Sequence, residues 1–344
     1  MKAHDLTIHL NSLYVVHRLP ISNVTGVTVF NRGPKTPTTV AAHINDIIEV
    51  VGPMVEGGVR VLVIIADGGA DYNSNHEINS FYYGRLFRHF PQLDVLFVAC
   101  YAPGQSAMNM IERAWSPLTR SLISVYFPST LEGQTVPPRQ QTRLTAEERE
   151  DMECELFDSN LDKLKRHWDN VEYRGNPVKV ISHYSRQAEV PNTTDEYHQL
   201  KGIVTTHSTV GLYRHPDVAA EYSFALKHVE RRIGMLIFTK CPHTVQCQRC
   251  GVSPAPSVDH IQLAKKFPSP TPVNEGHFTT FLQAIEDDRC GNNPDAHMPK
   301  YASKGLGRCT ICNRYIFTSN ADKEKHRKKA HPPQAQVARA QAGH

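Results

Sequence analysis

The sequence lacks the features that define several common classes of protein. No stretch approaches 18 consecutive apolar residues, so we expect no transmembrane helix and no membrane partner. The opening segment, MKAHDLTIHL, has no apolar run of the kind found in secretory signals, so we expect an intracellular protein. The chain contains no GxxxxGKS/T, no GxGxxG after a predicted strand and no GxSxG, which excludes the P-loop, Rossmann and hydrolase-elbow fingerprints.

The sequence also lacks a large excess of positive or negative charge. The 38 Lys and Arg residues outnumber the 34 Asp and Glu residues by only four over 344 residues. Because this excess is small, the overall charge does not argue for nucleic-acid binding, and only a local cluster of basic residues would do so.

The composition is that of a folded chain with room for two domains and a small extra module. Hydrophobic residues make up 40% and charged residues 21%, which is enough to form a core. Alternating apolar runs and amphipathic segments predict an α/β layer structure over residues 1–125. Predicted strands cover 6–16, 24–30, 59–66 and 93–100, the last two buried on both faces, and predicted helices cover 38–51, 76–89 and about 106–124.

Changes in composition predict the boundaries of the remaining regions. Thr145 and Glu148 have the spacing of a capping box, so a helix is expected to begin there. The expected organisation is a core at 1–127, a Pro- and Gly-rich linker at 128–142, a mostly helical region at 143–232, a Cys-rich and possible zinc-ribbon-like region at 233–300, a small module at 305–332 and a disordered tail at 333–344.

Cysteine is concentrated near the C-terminal end, where six of the eight cysteines fall in the last 104 residues. In a chain without a secretory signal this pattern indicates metal binding before disulfides. The spacing Cys309-x2-Cys312-x13-His326-x4-His331 resembles the two-Cys, two-His zinc finger, a small ββα module in which two thiolates and two imidazoles hold Zn²⁺. So small a module buries little core, so its folding free energy must come from the metal.

The finger departs from its family in two ways, and its role stays open. The middle gap is 13 residues where 12 is more usual, and only Ile316 or Phe317 offers an apolar core residue, so a less stable finger is expected. A run of basic residues, Lys323–Lys329, follows the two cysteines and favours contact with the phosphates of nucleic acid, DNA above all, or a role as a nuclear-import patch. The alternative is a finger that serves structure or protein binding. The candidate contact residues are Lys323, Lys325, Arg327, Lys328 and Lys329.

A second group of thiols precedes the finger. Cys241, Cys247 and Cys250 lie within ten residues and could be three ligands of a second zinc ion, or could be free thiols on a loop. The sequence leaves the fourth ligand open among His243, His260, Cys290 and His297.

Acidic residues follow the predicted strands of the core. Asp67 directly follows the predicted strand at 59–66. Glu112 lies one turn after Asn109, near the beginning of the predicted helix at about 106–124. Acids at the carboxyl ends of neighbouring strands and helices can hold the two Mg²⁺ or Mn²⁺ ions of phosphoryl transfer. The alternative is a turn residue at Asp67 and a helix-terminal charge at Glu112.

Residues 109–115 (NMIERAW) resemble the Asn-Pro-x-Glu-x-x-Trp motif of mariner-like DDE transposases, with Met110 in place of Pro. Residues 67–71 (DGGAD) and 102–106 (APGQS) are similar to further motifs of a transposon-derived group in that family. The resemblance implies an RNase H-like mixed sheet flanked by helices, with Asp67 and Glu112 as the second and third acids of a triad. Asp5 is the only acidic residue before Asp46, so it is the sole candidate for the first acid here. It precedes its strand, so we expect the strand of the true first acid to be missing.

The sequence therefore favours a zinc-binding, transposon-derived protein that binds nucleic acid in the nucleus without catalysis. Two alternatives stay open. One is an active, divalent-metal-dependent DDE transposase or nuclease, and the other is a scaffold whose finger binds protein.

Overall fold

The computed structural model shows a mixed α/β protein with two separate four-stranded sheets, each flanked by helices. The chain divides into two compact units, one formed by Met1–Asp46 with Met110–Thr194 and the other by Ile47–Asn109 with Asp195–His344. The structure describes residues 10–18, 23–32, 38–67, 69–74, 76–100, 110–184, 193–205, 212, 214–232, 234–241, 247, 250, 255–266, 272–274, 277–278, 309–312, 317 and 320–331.

The first unit is built on a mixed sheet with the strand order β1-β2-β6-β5. The β1–β2 hairpin is antiparallel, β2 runs parallel to β6, and β5 pairs antiparallel with β6. Its elements are β1 (Leu10–Arg18), β2 (Asn23–Arg32), the beginning of α1 (Val40–Glu56), α3 (Met110–Ser121), α4 (Ala146–Trp168), β5 (Glu172–Tyr173) and β6 (Asn176–His183).

The core of the first unit lies between this sheet and helices α3 and α4. Val27 and Val29 alternate along β2 toward Leu118, Leu164 and Trp168, all buried, as the two-residue period of a strand requires. The Trp168 indole N–H donates to the Leu118 carbonyl at 3.1 Å, so its one polar group is satisfied inside the core. The two helices are thereby joined by a hydrogen bond as well as by packing.

The other end of β2 carries a buried charged pair. Arg32 donates to Asp46 on α1, and both side chains are almost completely buried. His43, one turn earlier on α1, is buried too, and that burial, followed by the charge of Arg32, lowers the pKa of His43 to about 3. The imidazole is therefore neutral at physiological pH.

The second unit is built on a sheet with the strand order β3-β4-β8-β7, in which only the β3–β4 pair is parallel. Its elements are the end of α1, β3 (Val61–Ala66), α2 (Glu77–His89), β4 (Val95–Cys100), α5 (Thr193–Thr205), α6 (Pro216–His228), β7 (Val229–Arg232), β8 (Met235–Thr239), α7 (Val258–Lys266), β9 (Pro272–Asn274), β10 (His277–Phe278) and α8 (Asn320–Ala330).

The two apolar runs predicted as buried strands have different environments. β4 is central, and Leu96, Phe97 and Val98 are completely buried, as predicted. β3 is an edge strand, and Val63 and Ile65 are each 39% exposed, so the prediction of burial on both faces was wrong for β3. An apolar run shows that a segment is a strand but does not reveal its position in the sheet.

Among the described helices, none combines the length and the apolarity that crossing a bilayer requires.

Candidate metal centres

One cluster of metal-binding side chains forms around the β7–β8 hairpin of the second unit. His228 is the last residue of α6, and Cys241 follows β8 by two residues. Because Val229 pairs with Phe238, the hairpin returns the chain to the point where it left α6. That return places Cys241 beside His228, and Cys247 and Cys250 complete the group.

The ligand atoms of this cluster have the spacing of a tetrahedral zinc site. The His228 Nε2 atom lies 3.1 Å from the Cys241 Sγ, 3.3 Å from the Cys250 Sγ and 3.6 Å from the Cys247 Sγ. Ideal zinc–sulfur and zinc–nitrogen bonds at tetrahedral angles separate sulfur from nitrogen by about 3.6 Å. All four ligand atoms lie within 4.8 Å of one another, so the donor set fits a Cys3His zinc ion.

The orientation of His228 is fixed by its other ring nitrogen. The Nδ1 atom lies 2.7 Å from the Phe224 carbonyl oxygen, one turn earlier on α6. A carbonyl only accepts hydrogen bonds, so Nδ1 carries the proton and the lone pair of Nε2 points toward the thiols. Phe224 and Phe87 also pack against the imidazole, with ring centroids 4.1 Å and 6.1 Å away. This outer support is typical of metal-binding histidines.

Because these thiols are buried, their ionised form requires a neighbouring cation. Cys241 and Cys250 are buried, and burial together with the neighbouring Cys241 and Cys247 sulfurs raises the pKa of the Cys250 thiol well above its ordinary value. Three thiolates in this space therefore require a compensating positive charge. Zinc would supply that charge, and its binding would release the thiol protons.

The fourth ligand is a residue that sequence reasoning missed. Of the four candidates expected from the sequence, His260 donates from its Nδ1 to the Asp94 Oδ2 at 2.7 Å. The other three lie outside the described residues. His228 stands 13 residues before Cys241, outside any familiar ligand spacing. The signal that could have found it is Gly234, a turn residue between two short stretches that contain β-branched and apolar residues, because a hairpin there brings the residues after its second strand back to the end of the preceding helix.

Asp94 itself anchors the segment that follows this cluster. Its side chain is completely buried and accepts from Arg60 Nη2 at 2.6 Å and from the Ser257 backbone N–H at 3.2 Å, in addition to its contact with His260. Burial favours the neutral acid, but these hydrogen bonds outweigh it and lower the pKa of Asp94 below its ordinary value.

The second cluster is the one predicted from the finger spacing. Cys309, Cys312, His326 and His331 come together with their ligand atoms within 4.8 Å of one another. The Cys309 Sγ lies 3.4 Å from the His331 Nε2, and the Cys312 Sγ lies 3.5 Å from the His326 Nε2. Burial and then the charge of Arg327 lower the pKa of His331, which favours the neutral imidazole that a metal needs. These residues could hold a zinc ion.

Phe317 supplies the apolar residue of the finger. It is buried against Cys309 and Cys312, and its ring meets His326 edge to face at 5.7 Å. The other candidate, Ile316, lies outside the described residues. Among the described residues of this cluster, the apolar core is one aromatic ring beside the ligands.

The basic residues of α8 divide between two faces of the helix. Arg327 and Lys328 are exposed, and Lys323 is partly exposed with its ammonium 5.8 Å from the Phe317 ring. Lys325 and Lys329 instead face α2, and Lys329 is buried. The five basic residues expected to contact nucleic acid thus do not present one continuous surface.

The acidic residues of the predicted catalytic site are only partly described. Asp67 follows β3 in the second unit, is exposed, and accepts a hydrogen bond from the Gly69 backbone N–H at 3.0 Å. Burial and then the Asp67 charge raise the pKa of Asp71. Glu112 belongs to α3, but its side chain lies outside the described part of the chain, as does the whole of Asp5. The described contact of Asp67 is that of a turn residue.

Comparisons of this chain with protein families, with curated proteins and with solved structures found no match. The resemblance to DDE transposases therefore depends on the sequence motifs alone. The two Cys and His clusters depend on the geometry of the chain itself.

Proposed function

We propose that this chain is a zinc-binding protein that binds nucleic acid, with DNA the favoured partner, and that it acts in the nucleus. The observation that carries the proposal is the Cys309, Cys312, His326 and His331 cluster, from which α8 extends with a basic surface. Arg327 and Lys328 are exposed on that surface, where their charges can reach phosphate oxygens. The Cys3His cluster would then be a structural zinc site that stabilises the second unit.

The test of nucleic-acid binding is its dependence on salt. Each phosphate contact contributes about 0.9 to the slope of log affinity against log salt concentration. We expect the double variant Arg327→Gln, Lys328→Gln to lower that slope by about 1.8 for a DNA duplex. The control, Arg143→Gln with Lys179→Gln, makes the same charge change at two exposed positions in the first unit and should leave the slope unchanged.

Two results would redirect the proposal. Equal slopes for the two double variants would place the binding surface elsewhere. Binding of DNA by neither the native chain nor the control would favour the alternative, a finger that serves structure or protein contact. In either case the zinc sites would stand, because they do not depend on the partner.

We also propose that the core derives from a DDE transposase and does not itself catalyse strand transfer. The motifs around Asp67 and Glu112 support the origin. The position of Asp5, the only acidic residue before Asp46, ahead of its predicted strand supports the loss of activity, since the first acid of the triad has no good candidate in this sequence. The purified chain should not nick DNA with Mg²⁺ or Mn²⁺. Nicking that disappears in Asp67→Ala would instead establish an active metal-dependent nuclease.

A further inference from the structure

Helix α8, which carries a histidine of the second cluster, packs against other helices of the second unit. The Lys329 ammonium lies 2.8 Å from the Glu77 Oε2 on α2, and the Lys325 ammonium lies 3.0 Å from the same oxygen. Lys329 also donates to the Val204 carbonyl on α5 and lies 5.9 Å from the Tyr222 ring of α6. One face of α8 therefore contacts three helices of the second unit.

We call the contact of Lys325 and Lys329 with Glu77 the seat of α8, and it is well buried. The Lys329 side chain is 1% exposed and the Glu77 side chain 11% exposed. A buried ammonium needs a paired charge, because an unpaired one loses its hydration without compensation. Among the described residues, Glu77 supplies that charge to both lysines.

The seated face includes a position that DNA-binding fingers use to read bases. Fingers of this class contact bases through residues −1, 3 and 6 counted from the helix start. With α8 beginning at Asn320, the sixth residue is Lys325. Glu77 therefore pairs with the Lys325 side chain, which would otherwise reach into the major groove of DNA. Arg327 and Lys328 stay exposed.

We propose that Glu77 acts as an internal counter-anion that holds α8 on α2 and masks Lys325 and Lys329, so that nucleic acid must displace Glu77 to engage them. The masking rests on the proposed function, whereas the seat itself does not. Phosphate and carboxylate groups compete for the same two ammonium groups. The native chain therefore binds DNA through part of its basic surface only.

The experiment compares the full zinc-loaded chain with Glu77→Gln. Two quantities are measured: the rate at which an amine-acetylating reagent modifies Lys329, and the affinity for a DNA duplex as salt is varied. We expect Lys329 to be modified about tenfold faster in the variant, because its buried charge has lost its partner. We expect tighter DNA binding and a salt slope larger by about 1.8, because two more cations reach phosphates.

The matched control is Glu56→Gln, which removes one negative charge at an exposed position of the same unit. It should change neither measurement. Equal protection of Lys329 in Glu77→Gln and the native chain would overturn the seat. Faster modification of Lys329 without any change in the affinity of a chain that does bind DNA would overturn the masking.

The two proposals can fail separately. Faster modification of Lys329 in Glu77→Gln, with DNA bound by neither chain, would uphold the seat and refute nucleic-acid binding. If Glu77→Gln loses its zinc, Lys325→Gln takes its place, because it removes one of the two pairs at a partly exposed position. We then expect Lys329 to be modified about threefold more slowly, because Glu77 pairs with Lys329 alone and the repulsion from the Lys325 charge is gone. An unchanged rate would overturn the seat.

Discussion

Replacing His228 with glutamine removes the nitrogen ligand of the Cys3His cluster and keeps a polar side chain of similar length. Gln does not supply the imidazole lone pair that Nε2 points at the three thiols, so the site keeps only three strong ligands. Changes to the groups that merely orient a ligand already weaken metal binding by about 10–100-fold. Loss of the ligand itself should therefore weaken zinc binding by at least about 100-fold.

That loss of affinity converts directly into stability. A metal that binds only the folded state contributes about 2.7 kcal/mol when its concentration is 100 times its Kd. Losing a factor of 100 therefore lowers the free energy of unfolding of the second unit by about 2.7 kcal/mol. For a unit of this size the melting temperature should fall by about 5–11 °C.

The assay measures zinc per chain by elemental analysis after dialysis against a chelator of moderate strength, together with thermal unfolding of the same sample. We expect one zinc ion per chain in His228→Gln, held by the cluster of Cys309, Cys312, His326 and His331. The matched control is His260→Gln, because His260 contacts Asp94 and is not a ligand. The control should retain both ions. A His228→Gln chain that keeps two zinc ions and its melting temperature would refute the assignment of His228.

Three further predictions concern the packing and ionisation of the two units. Asp94→Asn should lower the free energy of unfolding by about 2–3 kcal/mol in urea titrations, because it removes the charge that Arg60 and two other donors hold; a change below about 0.5 kcal/mol would contradict this. The pKa of His43 in the folded chain is lowered from the ordinary 6.5 to about 3, because the buried imidazole resists protonation. The stability that the neutral His43 contributes is therefore present above pH 6.5 and is lost as the pH falls toward about 3. Between pH 6.5 and about 3, His43 should contribute a fall in stability of about 1.4 kcal/mol per pH unit, and His43→Gln should remove that share of the slope; an equal slope in the variant would contradict this. Gly84→Ala should cost about 1–3 kcal/mol, because its Cβ would lie 2.5 Å from the Ala225 Cβ, and adding Ala225→Gly should restore part of the loss; a neutral Gly84→Ala would refute that packing.

Local signals in the sequence predicted local structure well. The capping box is confirmed, because the Thr145 N–H donates to the Glu148 carboxylate at 2.8 Å and the Glu148 N–H donates back to Thr145 Oγ1 at 3.2 Å. The four ligands of the finger cluster were also predicted, since their spacing is set by one knuckle and one helix. Such features involve residues close in sequence, and their geometry follows from the backbone alone.

Features that depend on distant parts of the chain were not predictable. Besides β1, β2 pairs with β6, whose residues lie 151 positions later in the register, and nothing in the pattern of β2 identifies that partner. The seating of Lys329 on Glu77 joins residues 252 positions apart. A basic helix has the same sequence whether its lysines meet solvent, phosphate or a buried carboxylate, so only the fold distinguishes these cases. The RNase H-like assignment of residues 1–127 stays a prediction, and the strands of that segment contribute to both sheets.

The most direct test of two zinc sites is elemental analysis of the native chain, purified without added metal or chelator. Zinc at two ions per chain, falling to one in His228→Gln and to one in Cys312→Ser, is the expected result. A native chain that holds no zinc, or only one ion that both variants retain, would contradict the assignment of these clusters as metal centres.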